Sequence, residues 1–205
     1  MSIDYETIAG EKVAVPTERQ RHRFSLEEYM QMIEFGILGE NDRVELIRGE
    51  LVTKMPIGDA HASCVDRLIK FFHRLLNDAI VVRCQNPVVV LGSRPEPDVV
   101  ITAAVDHGYS ACAPQPEEIL LLIEVADSSL STDRTDKLSL YAEAGVREYW
   151  IADVNQKCVE VCRGPRPDGS YSERRVFNLG ETLTVVALPE ISLPVDQVFP
   201  ARRDR

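Results

Sequence analysis

The apolar positions of the chain follow two periods, that of a helix and that of a strand. Helical spacing is found after residue 25, over residues 59–78 and after residue 132. The first helix begins with a capping box, in which Ser25 and Glu28 satisfy each other's backbone N–H groups. Its predicted apolar stripe comprises Leu26, Tyr29, Met30 and Ile33. For the third helix, the hydroxyls of Ser131 and Thr132 predict the N-cap, and Gly145 predicts the end.

Short apolar runs between and after these helices are typical of strands. The run ILLLIEVA at residues 119–126 is uninterrupted, which favours a central strand buried on both faces. The segments EYWIAD and KCVEVCR, joined by VNQK, predict an antiparallel hairpin. The order of helices and strands therefore predicts a mixed α/β domain whose central sheet is flanked by helices.

The ends of the chain suggest the limits of that domain. Residues 1–23 show little periodicity and are predicted to form a flexible N-terminal arm, followed by the domain at 24–198 and a C-terminal tail at 199–205. No apolar run approaches the roughly 20 residues of a membrane span, and the N-terminus lacks the apolar core of a secretion signal. We therefore expect a cytoplasmic protein that does not contact a membrane.

Cysteine content and charge narrow the function further. The 5 cysteines lack C-x-x-C spacing, so we interpret them as free thiols in a reducing compartment rather than zinc ligands. A net charge of -10 argues against a protein that coats nucleic acid with a broad basic surface. The charge is compatible with an enzyme whose carboxylates bind Mg²⁺, because the ion reverses the local field. Glycine-rich phosphate loops, serine-nucleophile motifs and paired-histidine metal motifs are absent from the sequence.

Two carboxylates stand where strands begin or end. Asp98 opens the run DVVIT, and Glu124 lies near the end of the buried run. A carboxylate leaving a buried strand must be paired, protonated or bound to a cation. Asp133 and Lys137 follow on the next helix, and their i, i+4 spacing places them on one face. The simplest alternatives are a surface ion pair between those two, a turn role for Asp98, and a structural ion pair between Glu124 and Lys137.

Two other residues are open to both a structural and a functional interpretation. Glu45 lies between apolar neighbours, which fits a solvated acid as well as a third carboxylate of a site. His61 stands in the first turn of the long helix, where a histidine is more often a capping or surface residue than a ligand.

Several segments in order resemble a known family. PEPDVVIT, LLIEVADSSLSTDRTDK and LYAEAGVREYWIAD resemble the Uma-type family of putative restriction endonucleases, within the PD-(D/E)XK nuclease superfamily. The upstream VELIRGELV and His61 fit the same family, so the resemblance covers residues 24–198. It implies a restriction-endonuclease-like α/β fold, with a mixed central sheet flanked by helices.

The resemblance also implies a metal site. In it, Asp98 and Glu124 are catalytic residues that bind Mg²⁺ or Mn²⁺, with the carbonyl of Val125 and the carboxylate of Glu45 as further ligands. The superfamily has a lysine two residues after the second acid, where this chain has Ala126. Lys137 is the candidate replacement, and His61 and Asp133 are accessory candidates.

The expected function is then metal-dependent hydrolysis of DNA by an endonuclease. A homodimer is expected, because cutting both strands of a duplex needs two sites. The alternative is a catalytically silent module that keeps the nuclease fold for binding, which Ala126 and the acidic charge favour. A carboxylate-based glycosidase fits less well, because only 6% of the residues are aromatic and sugar platforms need aromatic rings.

Overall fold

A six-stranded mixed sheet forms the centre of the protein in a computed structural model, which describes residues 5–8, 11–14, 21–39, 41–75, 80–105, 108–110 and 112–200. The strands of the described residues are β1 (Tyr5–Ile8), β2 (Glu11–Ala14), β3 (Val44–Ile47), β4 (Glu50–Thr53), β5 (Ile80–Cys84), β6 (Val99–Ala103), β7 (Ile119–Ala126), β8 (Glu148–Asp153), β9 (Cys158–Pro165), β10 (Tyr171–Phe177), β11 (Thr182–Val185) and β12 (Leu188–Pro194). The helices are α1 (Leu26–Glu34), α2 (Asp59–Leu75), α3 (Leu130–Thr132) and α4 (Leu138–Glu143).

The central sheet has the strand order β10-β9-β8-β7-β6-β5. Only β7 and β8 are parallel, and the chain between them passes through α3 and α4, since parallel neighbours need a crossover connection. The predicted hairpin of β8 and β9 is confirmed, with Asp153 opposite Cys158. The remaining strands form three two-stranded sheets, β1-β2, β3-β4 and β11-β12. The predicted mixed central sheet flanked by helices is confirmed.

The sheet has an apolar layer on each face. Seven of the eight residues of β7 are buried, as the uninterrupted apolar run predicts. One layer lies between the sheet, α2 and the β11-β12 hairpin, and includes Leu68, Phe72, Leu121, Ile123, Trp150 and Leu193. The other lies between the sheet and α4, and includes Leu122, Leu138, Leu140, Tyr141, Tyr149 and Ile151. Glu124 follows Leu122 with a period of two, so its side chain lies on the α4 face.

The first helix is confirmed, but its predicted apolar stripe is only partly correct. Ser25 and Glu28 form the capping box, and Gly36 has the positive φ that follows a helix end. Only Tyr29 of the four stripe residues is buried, whereas Met30 is 41% exposed and Ile33 is 38% exposed. Tyr29 is therefore the residue of this helix that is buried, and Ile33 lines a cavity at the protein surface.

The connection from β7 to β8 departs from a regular helix. Its first turn starts two to three residues earlier than predicted, with Ser129 at the N-cap position instead of Ser131 or Thr132. The five residues Asp133–Lys137 then form a π-helical turn before α4 begins. Gly145 has a φ of 83° and ends the helix, as predicted. The π turn matters because it carries both Asp133 and Lys137.

The predicted N-terminal arm contains an antiparallel pair, β1 and β2, in which Tyr5 lies opposite Ala14. The domain limits at 24 and 198 stay predictions, and residues 201–205 of the predicted tail lie outside the described residues. Within the described part of the chain, every helix is too short or too polar to cross a membrane.

Candidate active site

The two strand-end acids meet because β6 and β7 are antiparallel neighbours. Val99, the first residue of β6, lies opposite Ile123, so Asp98 is brought beside the next residues of β7, Glu124 and Val125. The backbone N–H of Val125 donates to Oδ2 of Asp98 over 2.8 Å. Both acids are 9% exposed or less. The pairing register thus places two carboxylates at the same edge of the sheet.

Lys137 reaches this edge from the π turn. Its Nζ donates to Oε1 of Glu124 over 2.9 Å and lies 3.4 Å from Oε2 of Glu45. Glu45 is 2% exposed, so it is not the solvated acid that the sequence left open. The structure therefore brings Glu45, Glu124 and Lys137 together, whereas Asp133 and Lys137 form no ion pair.

A second lysine supports Glu45 from the opposite side. Lys54 Nζ lies 3.4 Å from Oε1 of Glu45 and 3.0 Å from Oε2 of Glu96. The backbone N–H of Glu96 donates to the same Oε1 of Glu45 over 3.1 Å. Glu45 is positioned by the β3-β4 hairpin, whose tight turn is made by Arg48 and Gly49, both with positive φ. Glu45 is thus fixed between two cations.

His61 also belongs to the site. Its Nε2 lies 3.1 Å from Oδ2 of Asp98, and its Nδ1 is buried without a hydrogen-bond partner among the described residues. On the other side of this acid, Gln85 Nε2 lies 3.4 Å from Oδ1 of Asp98. His61 is therefore not a surface cap, because α2 places it directly against the first strand-end acid.

The predicted carbonyl ligand, Val125, has a suitable orientation. In an extended strand the N–H and C=O groups of one residue point to the same edge. Since the N–H of Val125 points to Asp98, its carbonyl faces the same side of β7. The role of this carbonyl as a ligand stays a prediction.

Asp133 lies at the start of the π turn and is 1% exposed. Its Oδ2 accepts a hydrogen bond from Ser129 Oγ, and its backbone carbonyl accepts one from the Tyr149 hydroxyl over 3.1 Å. A π turn shifts the helical hydrogen-bond register, and Tyr149 stabilises the shifted backbone. Tyr149 and Trp150 are core residues, at 0% and 1% exposure.

Tyr141 is a site residue that the sequence did not reveal. It was predicted only to point inward from α4, and it is buried. Its hydroxyl donates to Oε1 of Glu124 over 3.0 Å, the same oxygen that accepts from Lys137. A tyrosine one turn after a candidate catalytic lysine was the available signal, but periodicity gives a face and not a hydrogen-bond partner.

Burial and mutual repulsion shift the pKa values of the acids in different directions. Burial, together with the nearby Asp133, Asp98 and Glu45, raises the pKa of Glu124 to about 8, although the charge of Lys137 opposes this. Burial also raises the pKa of Asp133. Burial acts in the same sense on Asp98, but hydrogen bonds and charge from His61 outweigh it and lower the pKa of Asp98.

The pKa values of the two bases of the site, His61 and Lys137, are both raised. The hydrogen bond to Asp98 raises the pKa of His61 against the effect of burial. Burial alone would lower the pKa of Lys137, but the charges of Glu124, Glu45 and Asp133 raise it above its ordinary value. With the exception of Asp98, the groups of the site whose pKa is shifted therefore keep their protons to higher pH than isolated side chains would.

These side chains line a cleft of about 290 Å³. Its walls carry six carboxylates against three lysine or arginine side chains: Glu45, Glu96, Asp98, Glu124, Asp127 and Asp133 against Arg43, Lys54 and Lys137. Among the described residues, no three His, Cys, Asp or Glu side chains are already arranged as a metal site. The contacts explain this arrangement, because Lys137 lies between Glu45 and Glu124, and His61 is hydrogen-bonded to Asp98.

An acid-rich cleft at the end of a mixed sheet with helices on both faces defines a restriction-endonuclease-like α/β protein. The chain belongs to the Uma2 family, described as "Putative restriction endonuclease", which it matches over residues 26–196. No curated protein matches the sequence.

A solved structure is similar to the whole fold. It is a putative nuclease belonging to DUF820 from Anabaena variabilis, with a TM-score of 0.70 and 16% identity. The match covers 86% of this chain and 97% of that one. At this identity the comparison establishes the fold alone.

Proposed function

We propose that the protein is a divalent-metal-dependent endonuclease that hydrolyses phosphodiester bonds of DNA, with Asp98, Glu124 and Lys137 as its catalytic residues. The carboxylate excess in one cleft supports this most strongly, because buried carboxylates in excess of cations favour binding of a further cation. The oxygen-rich donors suit Mg²⁺ or Mn²⁺ rather than a softer metal. Membership in a family of putative restriction endonucleases supports the choice of substrate.

Asp98 and Glu124 would hold the ion, with Glu45 and the Val125 carbonyl as further ligands. When bound, the ion would polarise a phosphoryl oxygen and lower the pKa of a coordinated water. Lys137 would leave Glu45 or Glu124 to offset charge on the phosphoryl group and orient the attacking water. His61 fixes Asp98, and Asp133 holds the turn that presents Lys137.

Metal binding provides the first test. Calorimetry with Mn²⁺ is expected to show binding to the parent protein, which Asp98→Asn abolishes and Asp66→Asn retains. Asp66 is a suitable control because it is an exposed acid on α2 that does not line the cleft. Equal Mn²⁺ affinity in the Asp98→Asn variant and the parent would rule out the proposed site.

Cleavage distinguishes the nuclease from the silent binding module. Supercoiled plasmid with Mg²⁺ is expected to be nicked by the parent and by Asp66→Asn, but not by Asp98→Asn or in the presence of EDTA. One observation favours the silent module, namely that Lys137 is tied to two acids while Ala126 occupies the usual lysine position. A parent protein that binds Mn²⁺ and leaves the plasmid intact would establish that alternative.

The compartment and the assembly belong to the same proposal. All five cysteines are free, which supports the reducing cytoplasm as its location. A homodimer would supply one active site for each strand of a duplex. Sedimentation of the protein at micromolar concentration tests this, and a single monomeric species with plasmid-linearising activity would contradict it.

A further inference from the structure

A second cavity opens beside the acid-rich cleft and shares four wall residues with it, Arg43, Lys54, Gln85 and Glu96. We call it the side pocket. Its volume is about 530 Å³, within the ~300–1,000 Å³ of ordinary ligand pockets. The shared residues make the two cavities neighbours, so a ligand long enough to reach both is the kind to consider.

The charge of the side pocket is opposite to that of the cleft. Its wall carries three cationic side chains, Arg43, Lys54 and Arg94, against two carboxylates, Asp42 and Glu96. Lys54 is already paired with Glu96 and Glu45, and Asp42 accepts a hydrogen bond from the N–H of Gly39. This leaves Arg43 and Arg94 without a carboxylate at ion-pair distance in the part of the chain that the structure describes.

The backbone of Arg94 is held in place, although its guanidinium has no carboxylate partner among the described residues. Its backbone N–H donates to the carbonyl of Leu46 over 2.7 Å, forming a bridge to β3. Its side chain is half-buried. Arg83 is half-buried as well, but its guanidinium lies over the ring of Tyr109, 5.2 Å from the centroid. In the described part of the chain, neither an ion pair nor a ring contact therefore involves the positive charge of Arg94.

Part of the side-pocket wall is apolar. It is formed by α1 and the residues after it, through the ring of Tyr29 and the side chains of Ile33 and Leu38. Ile33, an expected core residue, is 38% exposed and lines this space. Two arginines and an apolar surface in one pocket match a ligand with an anionic group next to a flat apolar one, which is the chemistry of a nucleotide.

We propose that the side pocket binds the nucleotide next to the cleaved phosphodiester, with Arg43 and Arg94 contacting its phosphate. This inference rests on the proposed nuclease function and adds the strand contact that the acid-rich cleft cannot provide. A protein of charge -10 repels nucleic acid at long range, so binding has to rely on local unpaired cations.

The test is salt-dependent binding of a fluorescein-labelled single strand and its duplex, measured by fluorescence anisotropy in EDTA so that no cleavage occurs. Arg43→Ala and Arg94→Ala are each expected to weaken binding about tenfold and to reduce the slope of log K against log salt by about 0.7–0.9. Arg147→Ala is the control, since Arg147 is exposed, lines neither cavity and removes the same charge. Arg94→Lys is expected to keep the slope, which a purely structural role would not predict.

Three results would overturn the side-pocket proposal. The first is that the parent does not bind either oligonucleotide, and the second is that the arginine variants match Arg147→Ala in affinity and slope. The third is that inorganic phosphate or a 5′-mononucleotide binds as tightly as the strand, because the pocket would then serve a free anion. Because Arg43 is exposed, its variant remains informative if Arg94→Ala fails to fold.

Cleavage in Mg²⁺ is measured separately, so that the two proposals can fail independently. If the parent cleaves plasmid while the arginine variants bind like the control, the nuclease proposal stands and the side pocket is excluded. If the arginine variants lose affinity and slope while the parent cleaves nothing, the side pocket stands in a silent binding module.

Discussion

Tyr141 illustrates what a residue pattern can and cannot predict. Its position on the inward face of α4 follows from helical spacing, and the residue is buried. The pattern contains no information about the hydroxyl, which donates to Glu124. Glu45 shows the same limit, because its burial depends on Lys54 and the N–H of Glu96 approaching from distant parts of the chain.

Removing the Tyr141 hydroxyl should affect the site more than the fold. In Tyr141→Phe, Glu124 keeps Lys137 but loses one of the two donors to the same oxygen. We expect the free energy of unfolding to fall by about 1 kcal/mol, and Mn²⁺ affinity to fall by about tenfold or more, as for other groups that orient metal ligands. Urea denaturation in EDTA and Mn²⁺ calorimetry measure the two effects.

Tyr171→Phe is the matched control for this variant. The Tyr171 hydroxyl is also buried and donates over 2.9 Å to the carbonyl of Val146, which is not a candidate metal ligand. It is expected to lose similar stability and to bind Mn²⁺ like the parent. If both variants kept the parent's Mn²⁺ affinity, Tyr141 would be a core residue with no influence on the site.

At the scale of elements, a local signal predicted the start of α1, whereas the N-cap of the third helix and the helix geometry after it were not predicted. The capping box of α1 depends on two residues three positions apart and was predicted correctly. The π turn at Asp133–Lys137 was not predicted, since its residues have no composition that distinguishes it from an α-helix. It is supported from outside the helix, by Tyr149 of β8. The predicted apolar stripe of α1 was only partly correct for a related reason. The spacing of apolar residues does not reveal which face of a helix packs against another element.

Besides its apolar packing against the sheet, the β11-β12 hairpin is attached to it through one buried acid. Glu148, 0% exposed, accepts hydrogen bonds from the indole N–H of Trp150 and the backbone N–H of Val186, both within 2.9 Å. Arg163 of β9 donates to Glu148 and to the carbonyl of Thr184. The contacts thus connect β8, β9 and β11-β12 on the side of the molecule away from the cleft.

We expect Arg163→Ala to destabilise this junction strongly. The substitution leaves Glu148 buried without its cation, a change that typically costs about 3–5 kcal/mol. Since Arg163 and Glu148 do not line the cleft, Mn²⁺ affinity of the remaining folded protein should be unchanged. Thermal unfolding measures the loss, and calorimetry below the transition measures the metal affinity.

The double variant Arg163→Met/Glu148→Gln tests the cause of that loss. It removes both charges. The amide oxygen can still accept from Trp150, but the N–H of Val186 loses its carboxylate acceptor, so part of the lost stability is expected to return. A double variant as unstable as Arg163→Ala would show that arginine packing, and not the unpaired acid, determines the stability of this junction.

For the molecule as a whole, the sequence predicted the buried central sheet better than it predicted which elements pack against that sheet. The uninterrupted run of β7 was sufficient to predict a buried central strand, whereas its parallel pairing with β8 was not predicted. The resemblance to a nuclease family then supplied the fold class. The packing of β11-β12 against the same layer as α2 could not be predicted, because it depends on contacts such as those of Glu148, between residues far apart in sequence.

Two buried thiols allow a test of whether both layers unfold together. Cys64 lies in the layer of α2 and Cys162 in that of α4, and both are 0% exposed. Burial raises the pKa of Cys64 to about 11 and that of Cys162 to about 12, so little of the reactive thiolate forms at about pH 8. In the native protein, iodoacetamide is therefore expected to label exposed Cys112 first.

With increasing urea, the labelling rates of Cys64 and Cys162 should rise together and with the same slope, because exposing either thiol requires opening of the shared sheet. Mass spectrometry of tryptic peptides measures each rate, and Cys112 provides the internal control because its rate should hardly depend on urea. If Cys162 became reactive at lower urea than Cys64, the α4 layer would open separately. The acids that the α4 layer presents to the cleft would then lie in a part of the protein that unfolds more easily than α2, which carries His61.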